Sequence, residues 1–151
     1  MQNLTPNFTL EEMIFSDTAC LAGINNTPDA TVTAELTTTC WMLETIRAAL
    51  GDVPISVSSG YRCPELNAII GGVPDSQHQY GQAADICAYD FGSAKEVFDA
   101  ILLIDPPLSF DQLIMEEDQY GNQWVHISQG PEMRQEAMYI GPDGQATTVS
   151  T

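Results

Sequence analysis

The chain has 151 residues, 44% apolar and 17% charged, which predicts one folded domain over residues 1–151 and excludes a disordered protein. Four lysines and arginines stand against 21 acids, giving a net charge of −17, which excludes nucleic acid as a partner because phosphate backbones require clustered cations. No apolar run reaches the roughly 18–20 residues of a membrane span and no secretion signal opens the chain, so we expect a protein that stays in the cytoplasm until release, or on a virion if phage-encoded.

Four helices are predicted from start signals, periodicity and breakers. Capping-box patterns begin the first helix at Thr9 and the last at Ser93. Apolar residues at helical spacing indicate a long second helix with one face in the core, and a proline suited to a first turn begins the third. The predicted helices span about residues 9–19, 31–50, 64–70 and 93–104.

Short alternating or apolar segments between turn residues predict five strands. These elements favour an α+β domain, in which helices pack against a small, mainly antiparallel sheet. The domain core covers about residues 8–140, and the polar tail at about 141–151 is expected to be mobile. The four widely spaced cysteines are expected to be reduced, buried thiols. The predicted strands span residues 54–58, 83–87, 111–117, 122–128 and 133–140.

The chain has only two histidines, His78 and His126, and both stand in segments that suit metal binding. Imidazole nitrogen and carboxylate oxygen are ordinary zinc donors, and a catalytic zinc commonly takes three protein ligands. Asp85 follows His78 by seven positions, and Gly81 between them can turn the chain tightly enough for the two to converge. His78, Asp85 and His126 would therefore form a zinc site, and a hydrogen-bonded structural His–Asp pair is the alternative.

The hairpin predicted around residues 119–121 indicates that Glu116 is a candidate general base. A three-residue loop there places Glu116 opposite Trp124, and therefore diagonally across from His126 on one face. The other face is apolar throughout. A carboxylate in that position could accept a proton from an attacking water and return it to a leaving amine. Glu116 could instead be one more solvated acid, and Glu117 is a competitor whose side chain points to the other face.

Arg62 follows a predicted strand and precedes the His78 loop, in a chain with few cations. An arginine can hold a carboxylate through two parallel hydrogen bonds, so Arg62 is a candidate anion clamp. It could equally be a structural partner for one of the many acids.

Five ordered blocks between about residues 8 and 140 resemble a known family. In this order they are similar to the M15 peptidases, the zinc D-Ala-D-Ala carboxypeptidase-like group that includes small phage and bacterial peptidoglycan peptidases. The fold is shared with non-enzymatic zinc domains such as the hedgehog signalling domain. The blocks are Ser59-Gly60-Tyr61-Arg62-x-Pro64-x-Leu66-Asn67, Gly71-Gly72, Ser76-x-His78-x-x-Gly81-x-Ala83-Ala84-Asp85-Ile86, Phe110-Asp111-Gln112-Leu113-Ile114-x-Glu116 and Trp124-Val125-His126-Ile127-Ser128.

The resemblance implies one Zn²⁺ per chain, held by His78, Asp85 and His126. It implies that Glu116 is the catalytic base and that Arg62 binds a substrate carboxylate. Several relatives carry the base three residues before the last ligand, where this chain has Gln123, so activity depends on Glu116. The further substrate-binding candidates from the same blocks are Ser76, Tyr61 and Trp124.

The function implied is hydrolysis of peptidoglycan stem peptides, as a D-Ala-D-Ala carboxypeptidase or as an L-Ala-D-Glu endopeptidase of the endolysin type. The alternative is a non-catalytic zinc protein on the same fold, such as a virion component.

Overall fold

A computed structural model describes residues 1–151, which form five α-helices, one 3-10 turn and six strands. The helices are α1 Leu10–Ile14, α2 Asp17–Ala22, α3 Ala30–Ala49, α4 Pro64–Ile69 and α5 Ala94–Leu102, and the 3-10 turn is Gln77–Tyr80. The strands are β1 Ser56–Ser59, β2 Ala83–Cys87, β3 Gln112–Glu117, β4 Gln123–Ser128, β5 Glu136–Ile140 and β6 Ala146–Val149.

The first predicted helix is two helices. Thr9 caps α1 by accepting a hydrogen bond from the Glu12 amide, but Phe15 has extended backbone angles that end the helix. Ser16 then caps α2 by accepting from the Ala19 amide. The prediction of one helix to Ala19 is wrong because this second cap gives the chain a new start in the middle of the segment.

All six strands form a single sheet in the order β1-β2-β4-β3-β5-β6. Every neighbouring pair is antiparallel except β3 and β5, which are parallel, so the predicted α+β architecture with a mainly antiparallel sheet is confirmed. The last predicted strand starts later than expected, at Glu136, because Met133 and Gln135 adopt positive φ angles that a strand does not tolerate.

The tail at residues 141–151 is not the mobile segment that its polarity predicted. A turn with Gly144 at φ 75° reverses the chain, and β6 then pairs antiparallel with β5 from Ile140↔Ala146 to Ala137↔Val149. Val149 also packs against the core. The tail is therefore the outermost strand of the sheet.

One face of the sheet packs against α3 and α5 and forms the core, which leaves the other face available for a site. The apolar hairpin face predicted from the sequence lies in this core, with Leu113, Val125 and Ile127 fully buried. No helix combines the length and apolar character that crossing a membrane requires. The cysteines are all unpaired, and Cys20 is exposed, so the expectation of buried thiols is wrong for that residue.

Candidate metal centre

The three predicted ligands meet on the open face of the sheet. Asp85 in β2 and His126 in β4 are directly opposite each other in neighbouring strands, so strand pairing alone brings them together. His78 comes from the 3-10 turn, which ends at Gly81 with φ 73° before the chain enters β2. The sheet therefore supplies two donors and an adjacent turn supplies the third.

The donor atoms are close enough to share one ion. Asp85 Oδ1 lies 2.9 Å from His126 Nδ1 and 3.4 Å from His78 Nε2. One ligand atom from each residue falls within 4.8 Å of the others. Two imidazole nitrogens and one carboxylate oxygen form a donor set typical of catalytic zinc, with a coordination position left open.

The orientation of the His78 ring is fixed by a contact on its far side. His78 Nδ1 lies 2.6 Å from the Gly60 carbonyl oxygen, which can only accept, so Nδ1 carries the proton and Nε2 presents its lone pair to the site. Gly60 is required there because an added Cβ would lie 2.2 Å from the Met13 carbonyl oxygen. The glycine thus lets the chain approach α1 closely and still orient the ligand.

The protonation states also suit a cation. Burial lowers the pKa of His78, only partly opposed by the charge of Asp85, which favours the neutral imidazole. Burial opposes ionisation of Asp85, but the adjacent imidazoles hold the pKa of its carboxyl well below the usual range. Neutral imidazole and ionised carboxylate are the forms that bind a metal, so the residues fit a zinc ion.

Glu116 lies on the same face as the ligands, in the register predicted from the loop. Glu116 pairs with Trp124 and Ile114 pairs with His126, and Gly121 has φ 84° at the end of the loop. Burial raises the pKa of the Glu116 carboxyl, and the nearby charge of Asp85 raises it further, against smaller opposite effects of His126 and Arg62. The structure therefore places a partly desolvated carboxyl in the cleft with the metal ligands.

Glu117 and Gln123 lie on the opposite face. Gln123 Nε2 donates to Glu117 Oε2 at 3.0 Å, and neither residue lines the cleft. The position three residues before the last histidine therefore points away from the ligands in this chain.

Arg62 reaches the cleft without an acidic partner. It forms no ion pair within 4.0 Å, its Nη2 is 3.4 Å from Ser76 Oγ, and its buried Nε has no hydrogen-bond partner. Burial lowers the pKa of the guanidinium, partly offset by the charges of Asp85 and Glu116. An uncompensated guanidinium in a cleft fits an anionic group on a ligand better than a structural role.

The cleft holding these residues has a volume of about 1000 Å³. Ser76 and Trp124 are on its wall, and the buried Trp124 Nε1 has no hydrogen-bond partner. Tyr61, the remaining substrate-binding candidate, does not line this cleft. It is 8% exposed, packs in the core, and borders a smaller cavity of about 400 Å³ that adjoins the cleft at Arg62 and Trp124.

The structure adds cleft residues that the sequence reasoning missed. Asp111 and Arg134 form a two-point ion pair on the cleft wall, and β5 contributes Met138 and Ile140. Two features of the sequence could have indicated this pair: Arg134 is one of only four cations, and Asp111 lies in one of the blocks that resemble the family.

Comparisons with known proteins agree with this geometry. A family model described as Peptidase M15 matches residues 6–128, which include all three ligands and Glu116. A zinc D-Ala-D-Ala carboxypeptidase of Streptomyces albus G is 44% identical over 59 residues, which are 39% of this chain and 23% of that protein. The aligned part thus spans about a quarter of the relative. The family match covers most of the chain, and the chain belongs to the M15 family of peptidases.

Proposed function

We propose that the protein is a zinc-dependent peptidase that hydrolyses the stem peptides of peptidoglycan. The observation that carries the proposal is the meeting of three metal donors, a partly desolvated carboxyl and an arginine without an acidic partner in one cleft. A purely structural role leaves the last two features unexplained, because buried polar groups are normally paired, whereas Glu116 is partly desolvated and the buried Arg62 Nε has no partner.

Zinc at this site would act as a Lewis acid that polarises the scissile carbonyl and makes an attacking water more acidic. Glu116 accepts a proton from that water as the new C–O bond forms. It returns the proton to the amine nitrogen as the C–N bond breaks, so that a carboxylic acid and an amine leave the site. The raised pKa of Glu116 suits both steps, because a base with a very low pKa would hold the proton too weakly.

Arg62 would orient the substrate by binding a carboxylate. Arg62 Nη2 lies 3.4 Å from Ser76 Oγ on the cleft wall, so the end of the guanidinium is placed to donate to the oxygens of a carboxylate there. The two candidate bonds are the D-Ala-D-Ala bond and the L-Ala-D-Glu bond. Each lies close to a free carboxylate, which is the C-terminus in the first case and the α-carboxylate of D-Glu in the second. The name of the Streptomyces relative favours the first.

One observation favours a second candidate, a non-catalytic zinc protein such as a virion component. The net charge of −17 would repel anionic cell walls. This candidate keeps the metal ligands and leaves Glu116 and Arg62 without a chemical role. The peptidase would act in host lysis, and the non-catalytic protein would be part of a virion.

The test is mass spectrometry of defined stem peptides incubated with the zinc-loaded protein, because the mass lost identifies the bond. We expect cleavage that a chelator abolishes and added zinc restores. His126→Ala should lose both zinc and cleavage. A wild-type protein that binds one equivalent of zinc and cleaves no stem peptide of any type would contradict the peptidase and support the second candidate.

A further inference from the structure

The carboxylate of Asp111 is buried and is the centre of a hydrogen-bond cluster that reaches the turn carrying the proposed ligand His78. Asp111 is 2% exposed and immediately precedes β3. Its Oδ1 accepts from Arg134 N at 3.0 Å and Arg134 Nε at 2.8 Å, and its Oδ2 accepts from Arg134 Nη2 at 2.8 Å. The fourth donor is Gln77 Nε2, 2.8 Å from Oδ2.

Gln77 is the residue directly before His78 and the first residue of the 3-10 turn. Its side-chain Nε2 donates to Asp111 at 2.8 Å and to the Gln129 carbonyl at 3.4 Å, and its backbone carbonyl accepts from the Gln82 amide at 3.0 Å. Gln77 therefore ties the start of the turn to the segment before β3, and its carbonyl closes the turn against the chain entering β2. His78 follows Gln77 directly and lies inside the turn that is closed in this way.

The path of the Gln77 side chain depends on a glycine. Gly130 follows β4, and a Cβ built there would lie 2.8 Å from Gln77 Nε2. Gly130 has no positive φ, so its backbone conformation does not itself require glycine. What the glycine provides is space for the amide on its way to Asp111.

We propose that Asp111 is a positioning residue for the zinc ligand His78, acting through the Gln77 amide, with Arg134 fixing the carboxylate. This rests on the proposed zinc site. The Gly60 carbonyl sets the rotation of the His78 ring, and the Asp111 cluster sets the position of the turn from which that ring projects. Groups that hydrogen-bond a metal ligand directly typically affect metal affinity about 10–100-fold, so for a partner one residue removed we expect the lower end of that range.

Arg134 makes the arrangement specific to a carboxylate at position 111. Asparagine there would place an NH₂ group against two of the present donors whichever way the amide faced, because each oxygen accepts from two N–H groups. Asp111→Asn therefore removes hydrogen bonds and creates donor–donor contacts, and it carries the greatest risk of misfolding.

The experiment measures zinc affinity by chelator competition and the absorption spectrum of the Co²⁺-substituted protein, both without substrate. The variants are Gln77→Leu, which removes the donor, and Gly130→Ala, which displaces it while leaving both partners present. Glu132→Gln is the matched control, because Glu132 is 75% exposed and lies 3.7 Å from Arg134 Nε but has no hydrogen bond to Gln77.

We expect each of the two variants to weaken zinc binding about tenfold and to shift the Co²⁺ absorption bands, with the control within about twofold of wild type. The double variant should bind zinc no more weakly than Gln77→Leu alone, because Gly130→Ala acts only by displacing the amide that Gln77→Leu removes. Zinc affinity and a Co²⁺ spectrum that stay unchanged in Gln77→Leu would overturn the proposal, and so would an equal loss in Glu132→Gln. A wild-type protein without zinc affinity would overturn the proposed function as well. If the wild type binds zinc and cleaves peptide, and Gln77→Leu binds zinc as tightly as the wild type, only this inference is overturned.

Discussion

Glu116 and Glu117 are chemically identical neighbours whose side chains leave opposite faces of β3. We expect Glu116→Gln to lower stem-peptide hydrolysis by roughly 10²–10⁴-fold, because an amide keeps the size of the side chain but cannot accept a proton. Zinc content should be unchanged. Loss of a partly desolvated carboxyl with a raised pKa should not lower the Tm. The measurement is parallel kinetics, metal analysis and thermal melting.

Glu117→Gln is the control for that substitution, since it makes the same chemical change and affects only an exposed hydrogen bond to Gln123. Hydrolysis that is lost in Glu117→Gln and kept in Glu116→Gln would show that the base is assigned to the wrong residue.

A second residue-scale prediction concerns the shape of the Arg62 head group. Arg62→Lys keeps the positive charge but replaces a planar fork with a point charge, so two-point binding of a carboxylate is lost. We expect kcat/KM on a peptide with a free carboxylate to fall more than on the same peptide with that carboxylate amidated. Arg47→Lys is the control, because Arg47 pairs with Asp52 on the surface. Equal kinetics for wild type and Arg62→Lys on both peptides would place the clamp elsewhere.

The cluster of three possible metal ligands could be predicted from sequence, because it contains the only two histidines and an aspartate a short turn away from one of them. The pairing of Asp111 with Arg134 could not, because 23 positions separate them and the block that contains Asp111 does not extend to Arg134. A partner chosen by tertiary packing leaves no periodicity in the sequence. The hydrogen bond from Gln77 to Asp111 is likewise visible only in the fold.

At the scale of an element, the helix α5 depends on its first turn. Ser93 Oγ accepts from the Glu96 amide at 3.2 Å, and Glu96 Oε2 accepts from the Ser93 amide at 2.8 Å. Ser93→Ala should lower the free energy of unfolding by about 1 kcal/mol, because a helix-start amide loses its partner. Thr45→Ala in the exposed interior of α3 is the control and should be neutral or slightly stabilising, since alanine is the better helix former. Denaturant unfolding of both variants measures the difference, and equal stabilities would contradict it.

The β3–β4 hairpin shows why some elements can be predicted in detail. A loop of fixed length determines the register, and the alternation of side chains then determines both faces, as the pairing of Ile114 with His126 confirms. The parallel pairing of β3 with β5 has no direct connection to fix its register, because β4 lies between the two strands in the chain. The segment that forms β6 is polar and lacks the alternation of apolar residues from which a strand is predicted.

For the whole molecule, the net charge of −17 opposes the compact state. Raising the ionic strength at neutral pH from about 0.01 M to about 1 M shortens the Debye length from about 30 Å to about 3 Å, so we expect the Tm to rise. The same addition at about pH 5 should have a smaller effect, because more carboxyls are then protonated. Thermal melting across both series measures this, and a Tm that falls with salt at neutral pH would contradict it.

Acid should nevertheless destabilise the protein once the pH is low enough to protonate the Asp111 carboxyl. Hydrogen bonds from Arg134 hold the pKa of the Asp111 carboxyl well below its usual range. A group with a lowered folded-state pKa stabilises the fold above its unfolded pKa of about 3.9, and this contribution is lost as the pH falls below that value. Relief of repulsion and loss of this ion pair thus act in successive ranges of pH.

Asp85 and His126 are 41 positions apart and sit opposite each other on adjoining strands within the sheet. The chain has no disulfide to hold such distant segments together. With an ion shared between β2 and β4, separating those strands and releasing the metal would be a single event. The free energy of unfolding would then rise with the free zinc concentration, so that the supply of metal would affect how much protein is folded as well as how much is active.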